Sequence, residues 1–170
     1  MANLKPTGRN LALATSILPK YIHSGANYFE PFDESAGGFR APYNSEYGIS
    51  KVREGGTFTV SYDYEITGVT TAFRLTTNLK YTSNSYQRFG NSSDFISIPI
   101  GNSSGHVEIT AEPTDEQMKY GESWLFSGLT AGQNINVELA IRNFKFETGD
   151  KATPWKPAPE DIIPGGGSII

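Results

Sequence analysis

Strict polar–apolar alternation runs through Thr57-Phe58-Thr59-Val60-Ser61-Tyr62-Asp63-Tyr64-Glu65-Ile66. Successive side chains of a β-strand point to opposite faces of a sheet, so this pattern predicts a strand with one buried and one solvated face. Gly55 and Gly56 precede the segment and Gly68 follows it, which marks its ends. The residues expected on the core face are Phe58, Val60, Tyr62, Tyr64 and Ile66.

Shorter runs of the same kind occur throughout the rest of the chain. Residues 71–79, 95–100, 106–111, 122–126 and 134–141 each predict a strand, and turn-forming residues separate them. After residue 141 the apolar positions change phase, which predicts a β-bulge or a strand that changes sheets. One core is expected to contain Phe58, Val60, Tyr62, Tyr64, Phe73, Leu75, Val137 and Leu139.

The composition supports an all-β protein of one domain. The 170 residues include 9 Tyr, 10 Phe, 18 Gly and 10 Pro but no Cys, so disulfides are excluded. We predict a two-sheet antiparallel β-sandwich over residues 10–160, a polar N-terminal arm over 1–9 and a flexible C-terminal tail over 161–170. The formal charge of −4 argues against nucleic-acid binding, and no apolar stretch is long enough to span a membrane.

The two ends of the predicted domain carry a recognisable pattern. Near the C-terminus, Lys145-Phe146-Glu147-Thr148-Gly149 is followed by Ala152-Thr153-Pro154-Trp155-Lys156-Pro157-Ala158-Pro159-Glu160-Asp161, and the domain opens with Asn10-Leu11-Ala12-Leu13-Ala14-Thr15. This combination resembles carbohydrate-binding-module-like jelly-roll domains in tail and baseplate proteins of phages and prophages of Gram-positive hosts. The resemblance implies a jelly roll located in the virion, extracellular after lysis. Its implied partners are host cell-wall polysaccharide, other tail or baseplate proteins and possible further copies of the chain.

Aromatic residues mixed with polar ones are the candidate saccharide ligands. A Tyr or Trp ring offers an apolar platform to a sugar face, and neighbouring amide, guanidinium and carboxylate groups can hydrogen-bond its hydroxyls. Two segments have this mixture, and either can instead cap the ends of the sandwich. The candidate residues are Tyr81, Tyr86, Gln87, Arg88 and Phe89 in one segment, and Tyr28, Asp33, Arg40 and Tyr43 in the other.

Catalysis and metal binding have weaker support. Asp63 and Glu65 share the outward face of one strand, where a solvated position is the simpler interpretation than an acid–base pair. His23 and His106 show no triad pattern, so we expect no catalytic residues. Related jelly rolls often hold a structural Ca²⁺, but the opening segment lacks an acid and Asn143 stands where such modules often place Asp. We therefore expect no metal and no cofactor.

Trp155 is the most conspicuous aromatic residue. It lies between Pro154 and Pro157 in a stiff, extended segment, and the resemblance implies that it packs and pins the C-terminus rather than stacking on a ligand.

Three functions remain open at this point. The preferred one is a non-catalytic tail module that binds host cell-wall saccharide and aids adsorption. The second is a structural decoration or assembly domain without a ligand of its own. The third is the carbohydrate-binding domain of a secreted glycoside hydrolase, which is less favoured because no signal peptide or catalytic domain is recognised.

Overall fold

A computed structural model describes residues 8–13, 15–26, 39, 56–82, 85–112, 124–128, 135–163 and 167–168. These residues form ten strands and one 3-10 turn, Pro159–Asp161. The strands are β1 (Lys20–Ala26), β2 (Phe58–Val69), β3 (Phe73–Thr82), β4 (Ser85–Arg88), β5 (Ile96–Ile98), β6 (Gly101–Ala111), β7 (Trp124–Gly128), β8 (Ile135–Thr148), β9 (Ile162–Ile163) and β10 (Gly167–Ser168).

Eight of the strands form two antiparallel sheets. The first sheet has the order β1-β8-β2-β6, and the second has the order β4-β3-β5 with β7 also paired to β3. The predicted all-β, two-sheet antiparallel sandwich is therefore confirmed. Within the described ranges, no helix is long and apolar enough to cross a membrane.

The core lies between the two sheets and follows the predicted alternation. Phe58, Val60, Tyr62, Tyr64 and Ile66 of β2 are all buried, together with Phe73 and Leu75 of β3 and Leu139 and Ile141 of β8. The Tyr62 hydroxyl lies 2.8 Å from Thr77 Oγ1, so a hydrogen bond joins the two sheets inside the core. Burial raises the pKa of Tyr62 and keeps the phenol protonated.

A β-bulge in β8 explains the change of apolar phase. Ser61 of β2 pairs with Lys145, whereas Asp63 pairs with Arg142, so two residues of β8 stand opposite Tyr62 alone. Asn143, one of the two, adopts the left-handed conformation with φ of 55°. Its backbone N–H donates to the Ser16 carbonyl at 2.8 Å. The prediction of a bulge is confirmed, and the shift moves Phe144 and Phe146 into the core.

Asn10 joins both ends of the domain to β8. Its fully buried side chain donates through Nδ2 to Thr15 Oγ1, the Phe144 carbonyl and the Lys156 carbonyl. Its Oδ1 accepts from the backbone N–H groups of Ala12 and Phe146. This gives a physical reason for the Asn residue at the start of the domain, because its amide satisfies backbone groups that would otherwise be buried without partners.

The two predicted terminal segments contain some order. Arg9, assigned to the N-terminal arm, is buried with 7% exposure. In the segment predicted to be a flexible tail, β9 and β10 pair with each other over two residues each.

Candidate functional site

The segment 151–157, which we call the strap, crosses the outer face of the first sheet. Beneath it, Lys145 and Glu147 of β8 form an ion pair of 3.6 Å with side chains 0% and 1% exposed. Lys145 Nζ donates to Thr153 Oγ1 and to the Pro154 carbonyl. Glu147 accepts from the Thr153 hydroxyl and from the Thr153 backbone N–H. The strap is thus fixed to the sheet by a buried, charged network rather than by apolar packing alone.

Buried charges in this network satisfy each other. Burial lowers the pKa of Lys145 and the nearby charge of Lys156 adds to this effect, while Glu147 opposes it. Because both charged groups are hydrogen-bonded to the strap, removing either partner would leave an uncompensated charge under the strap.

Trp155 is held by this network next to an open groove. Its indole Nε1 donates to Thr15 Oγ1 at 3.1 Å, and Thr15 is buried near the start of the domain. The predicted pinning role of Trp155 matches this contact. The side chain is only half-buried, however, and it lines the groove, so the interpretation as packing alone is incomplete.

The groove lies between the strap and the strands of the first sheet. Its volume is about 320 Å³, and it is lined by Ser61, Asp63, His106, Glu108, Asn143, Ala152, Thr153, Pro154 and Trp155. Strands β2, β6 and β8 supply the polar floor, and the strap supplies an apolar and aromatic wall. We call this depression the Trp155 groove.

His106 links two carboxylates at the floor of the groove. Its Nδ1 lies 2.6 Å from Asp63 Oδ1, and its Nε2 lies 3.1 Å from Glu108 Oε1. Desolvation lowers the pKa of His106, but the hydrogen bonds and charges of Asp63 and Glu108 outweigh it and raise the pKa overall. The imidazole therefore favours its charged form, in which both ring nitrogens donate.

Asp63 is held by a second donor on the opposite side. Asn143 Nδ2 donates to Asp63 Oδ2 at 2.7 Å, because the bulge turns the Asn143 side chain towards β2. Burial raises the pKa of Asp63, but the hydrogen bonds from Asn143 and His106, with the charges of His106 and Arg142, lower it overall. Asp63 is thus a fixed, ionised acceptor.

A smaller depression lies on the same outer face, away from the strap. It has a volume of about 110 Å³ and is lined by Glu65, Thr67, Glu138, Ala140 and Arg142. Arg142 Nη2 donates to Glu65 Oε2 at 3.1 Å, and about half of each side chain is exposed to solvent. Glu65 therefore occupies the solvated position that was predicted for it.

The predicted saccharide residues do not meet in the Trp155 groove. Tyr81 lies on β3, while Tyr86, Gln87 and Arg88 lie on β4, all in the second sheet, and only their backbone is described. Tyr28, Asp33, Arg40 and Tyr43 lie outside the described residues. For these eight residues the prediction remains a prediction.

Phe89 requires a correction. Its ring is 2% exposed and makes an edge contact with Phe146, with centroids 6.3 Å apart. A ring packed in the core offers no face to a sugar, so Phe89 is a core residue.

The opening segment and Asn143, where a calcium site was considered, have polar groups that are hydrogen-bonded within the protein. Ser16 accepts the Asn143 backbone N–H, Thr15 Oγ1 accepts from Trp155 and Asn10, and the Asn143 amide donates to Asp63. Calcium prefers six to eight oxygen ligands with several carboxylates, which this arrangement does not offer. In the part of the chain that the structure describes, no group of three or more His, Asp or Glu residues is placed to hold a metal.

Comparisons with known proteins concern the fold. No protein-family model matches the chain, and no curated protein matches its sequence. Among solved structures, the chain resembles one in the tripod from the baseplate of bacteriophage Tuc2009, with a TM-score of 0.53 and 17% identity. The likeness covers 93% of this chain and 61% of that chain. At this identity, what the two chains share is the fold.

Proposed function

We propose that this protein is a non-catalytic module of a phage tail or baseplate that binds host cell-wall saccharide through the Trp155 groove. The observation that carries the proposal is a half-buried indole fixed beside a row of polar side chains. A saccharide site would need a flat apolar surface for the C–H face of a ring and hydrogen-bonding groups for its hydroxyls, and the groove combines an indole with polar side chains.

The fixed position of the indole supports binding. The strap network and the bond from Trp155 to Thr15 hold the ring before any ligand arrives. A preformed site avoids the entropy cost of ordering a side chain on binding. The groove is shallow and open, so we expect weak binding at one site, with Kd on the order of 10⁻⁴ M. Many copies on one tail would convert weak sites into firm attachment.

The chemistry of the groove supports binding rather than hydrolysis. A glycoside hydrolase of the common type needs one carboxylic acid that stays protonated near neutral pH. Here the pKa of Asp63 is lowered instead of raised, and both nitrogens of His106 contact carboxylates. We therefore propose that Asp63, His106 and Glu108 bind the ligand and do not transfer protons to it.

The assignment to a phage tail rests on the sequence resemblance together with the fold. The structural neighbour belongs to a baseplate tripod. That origin also supports a second function, a purely structural role in assembly, because a tripod is built from contacts between chains. In that case the outer face of the first sheet would bind another tail protein and no saccharide.

Binding to purified cell walls separates these functions. We expect the chain, presented in multivalent form, to bind walls of a Gram-positive host, and we expect Trp155→Ala to abolish this binding. Ile100→Ala is a matched control, because Ile100 is 69% exposed on the turn between β5 and β6 and does not line the groove. If Tyr86→Ala abolished binding and Trp155→Ala left it unchanged, the site would lie on the second sheet. No binding by the unaltered chain to any wall tested would favour assembly.

A further inference from the structure

We propose that the Trp155 groove selects an amino sugar whose nitrogen is a free, positively charged ammonium rather than an acetylated amide. The inference rests on the proposed saccharide function and names the class of ligand. It comes from a comparison of the hydrogen-bond donors and acceptors that line the groove.

Each side-chain nitrogen that lines the groove already makes a hydrogen bond or a close polar contact within the protein. Both nitrogens of His106 contact carboxylates, and Asn143 Nδ2 donates to Asp63. Trp155 Nε1 donates to Thr15 outside the groove. The Thr153 hydroxyl also points inwards, where it donates to Glu147. A ligand that needs N–H donors from these side chains would have to use the second hydrogen of Asn143 Nδ2 or break one of these bonds.

Acceptors, in contrast, are left over. Asn143 Oδ1 is buried and has no hydrogen-bond partner. Glu108 is bound to His106 through Oε1, and its carboxylate is more than half exposed, which leaves Oε2 facing solvent at the groove. Of these two acceptors, Glu108 Oε2 is the one that a ligand can reach directly, because Asn143 Oδ1 lies beneath the surface.

The charges around the groove also favour a cationic ligand. Asp63 and Glu108 carry two negative charges and a protonated His106 carries one positive charge, so this trio keeps a net charge of −1. Lys145, under the strap, is ion-paired with Glu147, and Arg142 is ion-paired with Glu65. An ammonium has three donors and no acceptor, which complements this lining, whereas a phosphate or uronate would meet like charge.

The indole of Trp155 restricts the class of ligand further, to cations that carry a sugar ring. A cation beside an aromatic face is attracted by the ring, and a pyranose stacks its C–H face on the same surface. An amino sugar satisfies both contacts with one rigid unit. An aminoacyl ester on a flexible polyol carries the same ammonium but lacks the ring that would cover Trp155.

The test compares oligosaccharides that differ in one group. The full chain is titrated with β-1,4-linked glucosamine oligomers and with the same oligomers after N-acetylation, and the indole N–H signal of Trp155 is followed by NMR. We expect the free amine to bind about twofold to fivefold more tightly, the change that one half-exposed ion pair contributes. Glu108→Gln should remove this preference. Glu65→Gln, which changes the same charge on the same face outside the groove, should keep it.

Each outcome decides between the two proposals. Equal or tighter binding of the acetylated oligomer at Trp155 would overturn the ammonium preference and leave the saccharide function intact. A preference lost equally in Glu108→Gln and Glu65→Gln would overturn it too, because attraction to the overall charge of −4 would then explain the effect. If neither oligomer, nor a polygalacturonate control, shifts the Trp155 signal, both the inference and the saccharide function fail.

Discussion

The outer face of the first sheet has two halves that contain the same kinds of residue in different environments. In the covered half, under the strap, Lys145 and Glu147 are 0% and 1% exposed. In the open half, Arg142 and Glu65 form an ion pair of similar length with side chains 41% and 52% exposed. Lys145 and Glu147 are both on β8, whereas the open pair joins Arg142 of β8 to Glu65 of β2. The strap, and not the strands, makes the difference.

This comparison suggests what the buried charges do. Burying an ion pair has a large desolvation cost, so such a pair adds little net stability compared with apolar residues of the same size. The pair nevertheless favours one position of the strap. A shifted strap would leave Lys145 or Glu147 without hydrogen-bond partners, which costs free energy. We infer that the covered half specifies the position of Trp155, whereas the open half contributes solubility.

The largest difference between the halves is expected when one charge of each pair is removed. Lys145→Met should lower the free energy of unfolding by about 3–5 kcal/mol, because it leaves the Glu147 carboxylate buried without its cation. Arg142→Met is the matched change in the open half and should cost at most about 1 kcal/mol. Urea unfolding of both variants measures the difference, and similar losses would contradict the contrast between the halves.

A smaller loss of stability is expected when the ion pair under the strap is kept and the Trp155 ring is removed. Trp155→Ala should lower the free energy of unfolding by about 2 kcal/mol, below the usual range for fully buried aromatics, because the side chain is only half-buried. Trp155→Phe keeps a ring and loses the bond to Thr15, so it should cost about 1 kcal/mol. Thermal unfolding of the two variants tests this order, and a neutral Trp155→Ala would mean that the strap holds without its indole.

The pH dependence of the groove provides a third test. His106 binds its proton more tightly in the folded protein, so its contribution to stability is fully present below the ordinary pKa of about 6.5 and is lost as the pH rises through the raised pKa. An NMR titration should place the His106 midpoint above the ordinary value of about 6.5. Asp63→Asn should bring it down, because the closest carboxylate is then gone. A His106 midpoint unaffected by Asp63→Asn would contradict the geometry of the groove floor.

The smallest effect is expected from Glu65→Gln. The change removes one charge from an exposed pair, and such pairs contribute about 0–1 kcal/mol. We expect an unchanged melting temperature and unchanged binding to cell walls. A clear loss of wall binding would show that the open half belongs to the ligand site and that the groove extends past Arg142.

The sequence alone predicted most of the fold, because alternation is a local signal. The run from Phe58 to Ile66 identified a buried face, and the phase change near Asn143 predicted the bulge. These features depend on neighbours in the chain, so a single sequence contains them. Val137, also predicted to point inwards, has its side chain outside the described part of the structure.

The groove could not be predicted in the same way. Asp63 and His106 are 43 positions apart, and only the register between β2 and β6 places them opposite each other. The proximity of Trp155 to both depends on the path of the strap, which the sequence describes only as extended. The one available signal was the presence of polar residues on the outward face near a Pro-flanked Trp, and this pattern is also typical of a solvated face.

The two tryptophans allow the central claim, that the Trp155 groove binds saccharide, to be tested within one sample. Trp155 lines the groove, whereas Trp124 lies on β7 in the second sheet. The measurement is an NMR titration of the ¹⁵N-labelled chain with solubilised host cell-wall saccharide, in which the two indole N–H signals are compared. We predict that the Trp155 signal shifts and saturates while the Trp124 signal remains in place. A shift confined to Trp124, or no shift of either signal with a wall preparation that the chain binds, would contradict the claim that the Trp155 groove binds saccharide.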